Sequence, residues 1–111
     1  MKKLEILVGA LLLTAAPLAA ETWTSVPVID TLCLSKVKAN PDKHPVACAL
    51  QCAKGGYGLL AKDGTYLKFD AAGNDKTLAA LKETKKTDHL RATVEGERDG
   101  DSVKVKSLRL E

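Results

Sequence analysis

The chain is short of aromatic residues, has two histidines, and carries an odd number of cysteines. Trp23, Tyr57, Tyr66 and Phe69 are its only aromatic side chains. So few cannot both fill a core and supply stacking platforms for bases or sugars. Its lysines and arginines are scattered, with no run longer than two, so a net charge of +3 forms no basic stripe and nucleic acid is not an expected partner. Neither G-x-S-x-G, H-E-x-x-H nor a phosphate-binding loop occurs. His89 alternates with Arg91 and reads as a surface residue on a strand. The sequence therefore offers no catalytic constellation, and an enzyme is not expected.

Long hydrophobic runs are also scarce. One occurs, from Ile6 to Ala16, behind Met1-Lys2-Lys3 and ahead of Pro17-Leu18-Ala19-Ala20. At about half the roughly 20 residues that span a bilayer, it reads as a secretory leader, with cleavage expected after Ala20. Residues 1–20 are then a signal peptide and residues 21–111 one small domain, exported to the periplasm or secreted. No cysteine stands at the junction to take a lipid, and no membrane span is expected in the mature chain. A domain this small buries only about 60% of its unfolded surface. Its core is marginal, so a covalent or metal staple would contribute a meaningful part of a stability of ~5–15 kcal/mol.

The mature chain opens with T-W-T-S-V-P-V-I-D, a strand over Thr22 to Asp30 with Thr24, Val26 and Val28 on one face. Pro27 cannot donate to a ladder, so a bulge or an outward N–H is expected there. Thr31 to Lys43 reads as a loop. Pro45 at the first helical position and Gly55 past the end predict a helix from Pro45 to Ala53, held by Val46, Ala49, Leu50 and Ala53. Tyr57–Ala61 and Thr65–Asp70 flank Lys62-Asp63-Gly64, a hairpin signal. A second helix is predicted over Lys76 to Thr84, capped by Asn74 or Asp75, with Leu78 and Leu81 inward. Strands Asp88–Glu97 and Ser102–Leu110 follow, joined at Arg98-Asp99-Gly100-Asp101. Leu108 and Leu110 fall out of phase with Val105, which predicts a bulge near Lys106-Ser107. The expected fold is mainly β with two short helices: a small five-stranded OB-like barrel with a helical, cysteine-bearing insert between strands 1 and 2.

Cys48 and Cys52 stand four apart on the first helix, which puts their β-carbons about 5–6 Å apart, whereas a disulfide needs about 3.8 Å. Cys33 must then be the partner. Cys52, nearer the start of the second strand, is the better placed of the two. A Cys33–Cys52 disulfide is predicted, with Cys48 a free thiol. A second possibility is a closed site for zinc or copper(I) from Cys33, Cys48, Cys52 and His44. C-x-x-x-C is not the redox C-x-x-C spacing, so thiol catalysis is not expected.

W-T-x-x-V-x-x-D at Trp23 to Asp30, Cys33, C-A-L-Q-C-A-K-G-G at Cys48 to Gly56, and V-K-V-K-S-L at Val103 to Leu108 resemble an uncharacterised group of small exported bacterial proteins. Members of that group usually carry glycine where this chain has Ser25, and often histidine where it has Val37. The resemblance implies an OB-like barrel and export, and brings no activity with it. The expected role is that of a monomeric binding module for a small ligand or partner, framed by the cysteine insert and the Arg98–Asp101 tip. The alternatives are a structural or interaction protein of the cell envelope and a metal-binding protein.

Overall fold

A computed structural model of the chain describes residues 20–111; the expected leader lies outside the described residues except for Ala20, where the first strand begins. Five strands form a closed barrel in the order β1-β2-β3-β5-β4. They are β1 (Ala20–Asp30), β2 (Tyr57–Leu60), β3 (Tyr66–Phe69), β4 (Arg91–Asp99) and β5 (Ser102–Leu110). All neighbouring pairs are antiparallel except β3 and β5, whose short parallel pairing at Lys68↔Ser102 and Phe69↔Val103 closes the sheet. Closure leaves no continuous open edge. The OB-like barrel with its insert between β1 and β2 is therefore present.

The core is built on the inward rows of the strands, Val26 and Val28, Leu59, Leu67 and Phe69, Ala92 and Val94, Val103 and Val105, with Leu90 just before β4 and Val46, Ala49 and Leu81 of the helical segments packed on it. Alternation predicted most of these correctly. It fails in β1, where Trp23 packs against the core and Thr24 is exposed. Ser25 is the reason. It has φ +53°, and the β1–β4 register shifts between Trp23 and Val26, so the residues before the bulge swap faces. The expected bulge in β5 is present: Glu95 pairs with Ser107 and Gly96 with Val105, leaving Lys106 without a partner.

The helical elements differ more. The stretch read as a loop folds into a 3-10 turn at Thr31–Cys33, a helical turn α1 (Leu34–Val37) and a second 3-10 turn at Pro41–Lys43. The cysteine helix, α2, is shorter than predicted and runs Val46–Gln51. Pro45 is extended at ψ 146° and precedes it, and Val46 N–H donates to Thr87 O at 2.8 Å, so a distant loop satisfies the first helical amide. A 3-10 turn at Ala53–Gly55 follows, and Gly56 at φ +81° releases the chain into β2. The long helix α3 covers Ala71–Glu83 and begins five residues earlier than predicted, because Asp70 caps it by accepting from Gly73 N–H. Asn74, expected as a cap, lies inside α3 and accepts from Tyr57 N–H at the start of β2. In β4 the strand starts at Arg91, after a turn in which His89 takes φ +54°.

Candidate functional site

The end of β1 delivers Asp30 into the barrel wall with no exposed surface. An isolated buried carboxylate is costly, and this one is compensated on both oxygens. Asp30 Oδ2 accepts from Cys33 N–H at 3.0 Å, capping the 3-10 turn that follows. Asp30 Oδ1 lies 2.6 Å from Nε2 of His44, which is itself 3% exposed. The same turn carries Cys33 toward the end of α2, where Cys33 Sγ and Cys52 Sγ are 3.8 Å apart. The donor atoms of Asp30, Cys33 and Cys52 all lie within 4.8 Å of one another, and both thiols are half-buried.

Two tyrosines hold this arrangement. Tyr66 Oη donates to Ile29 O at 2.8 Å and lies 3.0 Å from Thr31 Oγ1. Tyr57 Oη donates to Ala49 O at 2.8 Å, tying α2 to β2. Thr31 N–H bonds Gly56 O at 2.9 Å, which fastens the two ends of the insert together. Burial pushes the Tyr66 hydroxyl up to about 12. It also raises Tyr57, with Asp30 adding to the effect. The Cys33 thiol is pushed up to about 11, first by burial, then by its hydrogen bond to Asp30 and by the neighbouring Cys52.

Of the residues picked out from the sequence, the fold brings together Cys33 and Cys52. Both are free thiols, and at 3.8 Å their sulfurs are beyond bonding distance. Cys48, on the preceding turn of α2 and half-buried, falls outside the group whose donors are mutually within 4.8 Å. So does His44, which sits behind Asp30 rather than beside the sulfurs. Asp30 takes the place expected for these two. It reads in sequence as the last residue of a strand, yet Asp30-x-x-Cys33 is the spacing of an N-cap carboxylate and the amide it accepts. That spacing is the signal that could have found it. His89 is exposed and pairs with its neighbour Asp88.

No protein family, curated protein or solved structure matches the chain. The chemistry of the site rests on its own residues. Two sulfurs and a carboxylate oxygen within 4.8 Å form a mixed soft and hard donor set.

A concavity lies away from the thiols. A cleft of about 380 Å³ opens between the first half of β1 and the tip of the β2–β3 hairpin, and Trp23, Lys62, Asp63 and Arg98 line it. Arg98, expected to frame a site together with the cysteine insert, faces this cleft instead. On the insert side, Asp42 receives Arg91 Nε at 2.9 Å and Nη2 at 3.1 Å, while Arg91 Nη1 donates to Ser25 O at 2.7 Å. This guanidinium pins the β1 bulge to the Pro41–Lys43 turn and holds the Asp42 carboxyl below its usual range.

Proposed function

We propose that the protein is an exported small β-barrel that holds a thiophilic metal ion, zinc or copper(I), between Cys33, Cys52 and Asp30. The observation that carries this reading is the convergence of three donor atoms within 4.8 Å at the joint between β1 and the insert. Thiolates select soft and borderline cations, and three protein ligands leave one coordination position for water or a partner's donor group. His44 supports the site from behind. Its contact with Asp30 Oδ1 orients the carboxylate, as outer-shell partners of ligating groups do.

The same two sulfurs serve a second state. Their 3.8 Å separation would have to close to about 2 Å for a bond. Each thiol then gives up a proton and an electron to a two-electron acceptor such as a small disulfide, which leaves as two thiols, and a Cys33–Cys52 bond forms. In an oxidising compartment that bond closes a loop between residues 19 apart and stabilises the fold by about 3 kcal/mol. Metal and disulfide exclude one another because both use the same sulfurs.

The test is metal stoichiometry of reduced, tag-free protein, with chelator competition. One equivalent of zinc or copper(I), lost in Cys33→Ser and Cys52→Ser and kept in Cys48→Ser, is the expected result. No bound metal in the reduced protein, or equal loss in Cys48→Ser, overturns the reading.

A further inference from the structure

On the side of β1 away from the thiols, the strand parts from its neighbour. β1 pairs with β2 only at Val28, Ile29 and Asp30. The next pair would set Pro27 against Leu60, and proline has no N–H to extend the ladder. Two residues before Pro27, Ser25 takes its left-handed conformation and turns the first half of β1 toward β4 alone. The β2–β3 hairpin runs on to its tip at Lys62-Asp63-Gly64 without pairing to the first half of β1, so the two chains are not laddered together there. The cleft of about 380 Å³ is the gap they leave. It is a product of the backbone, fixed by Pro27, by the bulge and by the Arg91 clamp on Ser25 O.

Its lining is chemically mixed in a particular way. Trp23 is half-buried and packs on the core, presenting a rigid apolar wall. Thr22 and Thr24 add hydroxyls on the same strand. Lys62 and Arg98 face the cleft from the two hairpins, and among the described residues neither has a carboxylate within 4.0 Å; the one Arg–carboxylate pair within that distance is Arg91–Asp42. Arg98 uses Nε on Gly100 O at 3.0 Å, which fixes the guanidinium and leaves its terminal nitrogens to other acceptors. The one acid in the lining, Asp63, accepts from Thr65 N–H at 3.0 Å and lies near enough to Arg98 for the guanidinium to lower its carboxyl, so it offsets part of the positive charge. An apolar wall beside two cations and one acid, a net positive lining in which neither cation is closed into a salt bridge, complements a molecule with a hydrophobic body and a carboxylate, and the volume lies in the range of small-molecule sites.

The geometry points to a binding site for a small hydrophobic carboxylate, its ring or chain on Trp23 and its carboxylate between Lys62 and Arg98. This site is separate from the thiol centre and does not depend on it.

Trp23 is the only tryptophan in the chain, so its emission reports on the cleft directly. Cyclohexanecarboxylate, titrated into the full protein and followed by Trp23 emission and thermal unfolding, is expected to change the emission and raise the melting temperature at millimolar concentration. Cyclohexanecarboxamide, the neutral isostere, is expected to do neither. Arg98→Gln and Lys62→Gln should each raise the dissociation constant about tenfold, the size expected for one hydrogen bond to a charged group. Lys85→Gln should leave it unchanged. No response to the carboxylate, an equal response to the amide, or unchanged affinity in the double variant Lys62→Gln/Arg98→Gln overturns the proposal. Inorganic phosphate matching the carboxylate in effect overturns it too, since the site would then read charge alone.

Discussion

His44 Nε2 and Asp30 Oδ1 meet at 2.6 Å with both side chains almost wholly buried. They join the start of the cysteine helix to the end of β1, and so set where the Cys33 turn points. Removing one partner of a buried hydrogen bond leaves the other unsatisfied, at a cost of about 1–3 kcal/mol. Asp30→Ala and His44→Ala should each destabilise by amounts in that range in urea unfolding. The double variant should cost less than their sum by the shared interaction, while Asp30→Ala also loses the cap on Cys33 N–H. Additive effects would show that the pair is not a unit.

The Cys33 thiol, pushed up to about 11, predicts slow alkylation. Near pH 8 its thiolate is about a hundredfold scarcer than at its ordinary value of 9.0, and the greater nucleophilicity of a more basic sulfur recovers about tenfold of that. In reduced Cys48→Ser/Cys52→Ser protein, where neither sulfur neighbour remains, burial and Asp30 still act. Iodoacetamide should therefore label Cys33 several-fold more slowly than free cysteine. Faster labelling than free cysteine would contradict this.

Asp42 and Arg91 predict the acid behaviour. The guanidinium lowers the folded-state pKa of Asp42 below its ordinary 3.8. A carboxyl depressed on folding contributes stability that is present above its unfolded pKa and lost as pH falls through the folded one. The contribution should therefore disappear below about pH 4. Asp42→Asn is expected to lower the melting temperature at neutral pH and to flatten its fall below pH 4, as read by calorimetry across pH. The pair is about a third exposed, so the effect is modest.

Gly73 sits inside α3, where alanine would ordinarily gain about 1 kcal/mol of helix propensity. An added β-carbon there would lie 2.5 Å from Val105 Cγ2 and 2.8 Å from Phe69 Cβ. Steric overlap in a packed core costs about 1–3 kcal/mol, so Gly73→Ala should lower stability despite the propensity gain. A rise in the urea midpoint would mean that α3 can move away from β5 at little cost.

At Ser25 the balance reverses. A left-handed non-glycine residue carries about 1–2 kcal/mol of backbone strain, while its side chain makes only an exposed hydrogen bond to Glu111 Oε1 at 3.1 Å. Ser25→Gly should stabilise the protein or leave it unchanged. Destabilisation beyond about 1 kcal/mol would show that the serine side chain contributes more than the strain costs.

The strands of the barrel and their order were legible in the sequence, while its closure through the parallel β3–β5 pairing was not. Period-two alternation, two Asp-Gly hairpins and the phase break after Val105 are local properties, and they placed β2 to β5 and the Lys106 bulge. The i, i+4 spacing of Cys48 and Cys52 directed attention to Cys33 for the same reason, since helix geometry is local. Only the tertiary structure decided what surrounds those sulfurs. Asp30 becomes the third donor because β1 ends inside the wall, and His44 turns toward that carboxylate because a buried charge must be compensated. Asn74 leaves its expected cap position for the amide of Tyr57, across 17 residues. The cleft beside Trp23 exists because β1 and β2 stop pairing at Pro27. Each is a contact between residues far apart in the chain, where burial and the demand for hydrogen-bond partners override what neighbouring residues prefer.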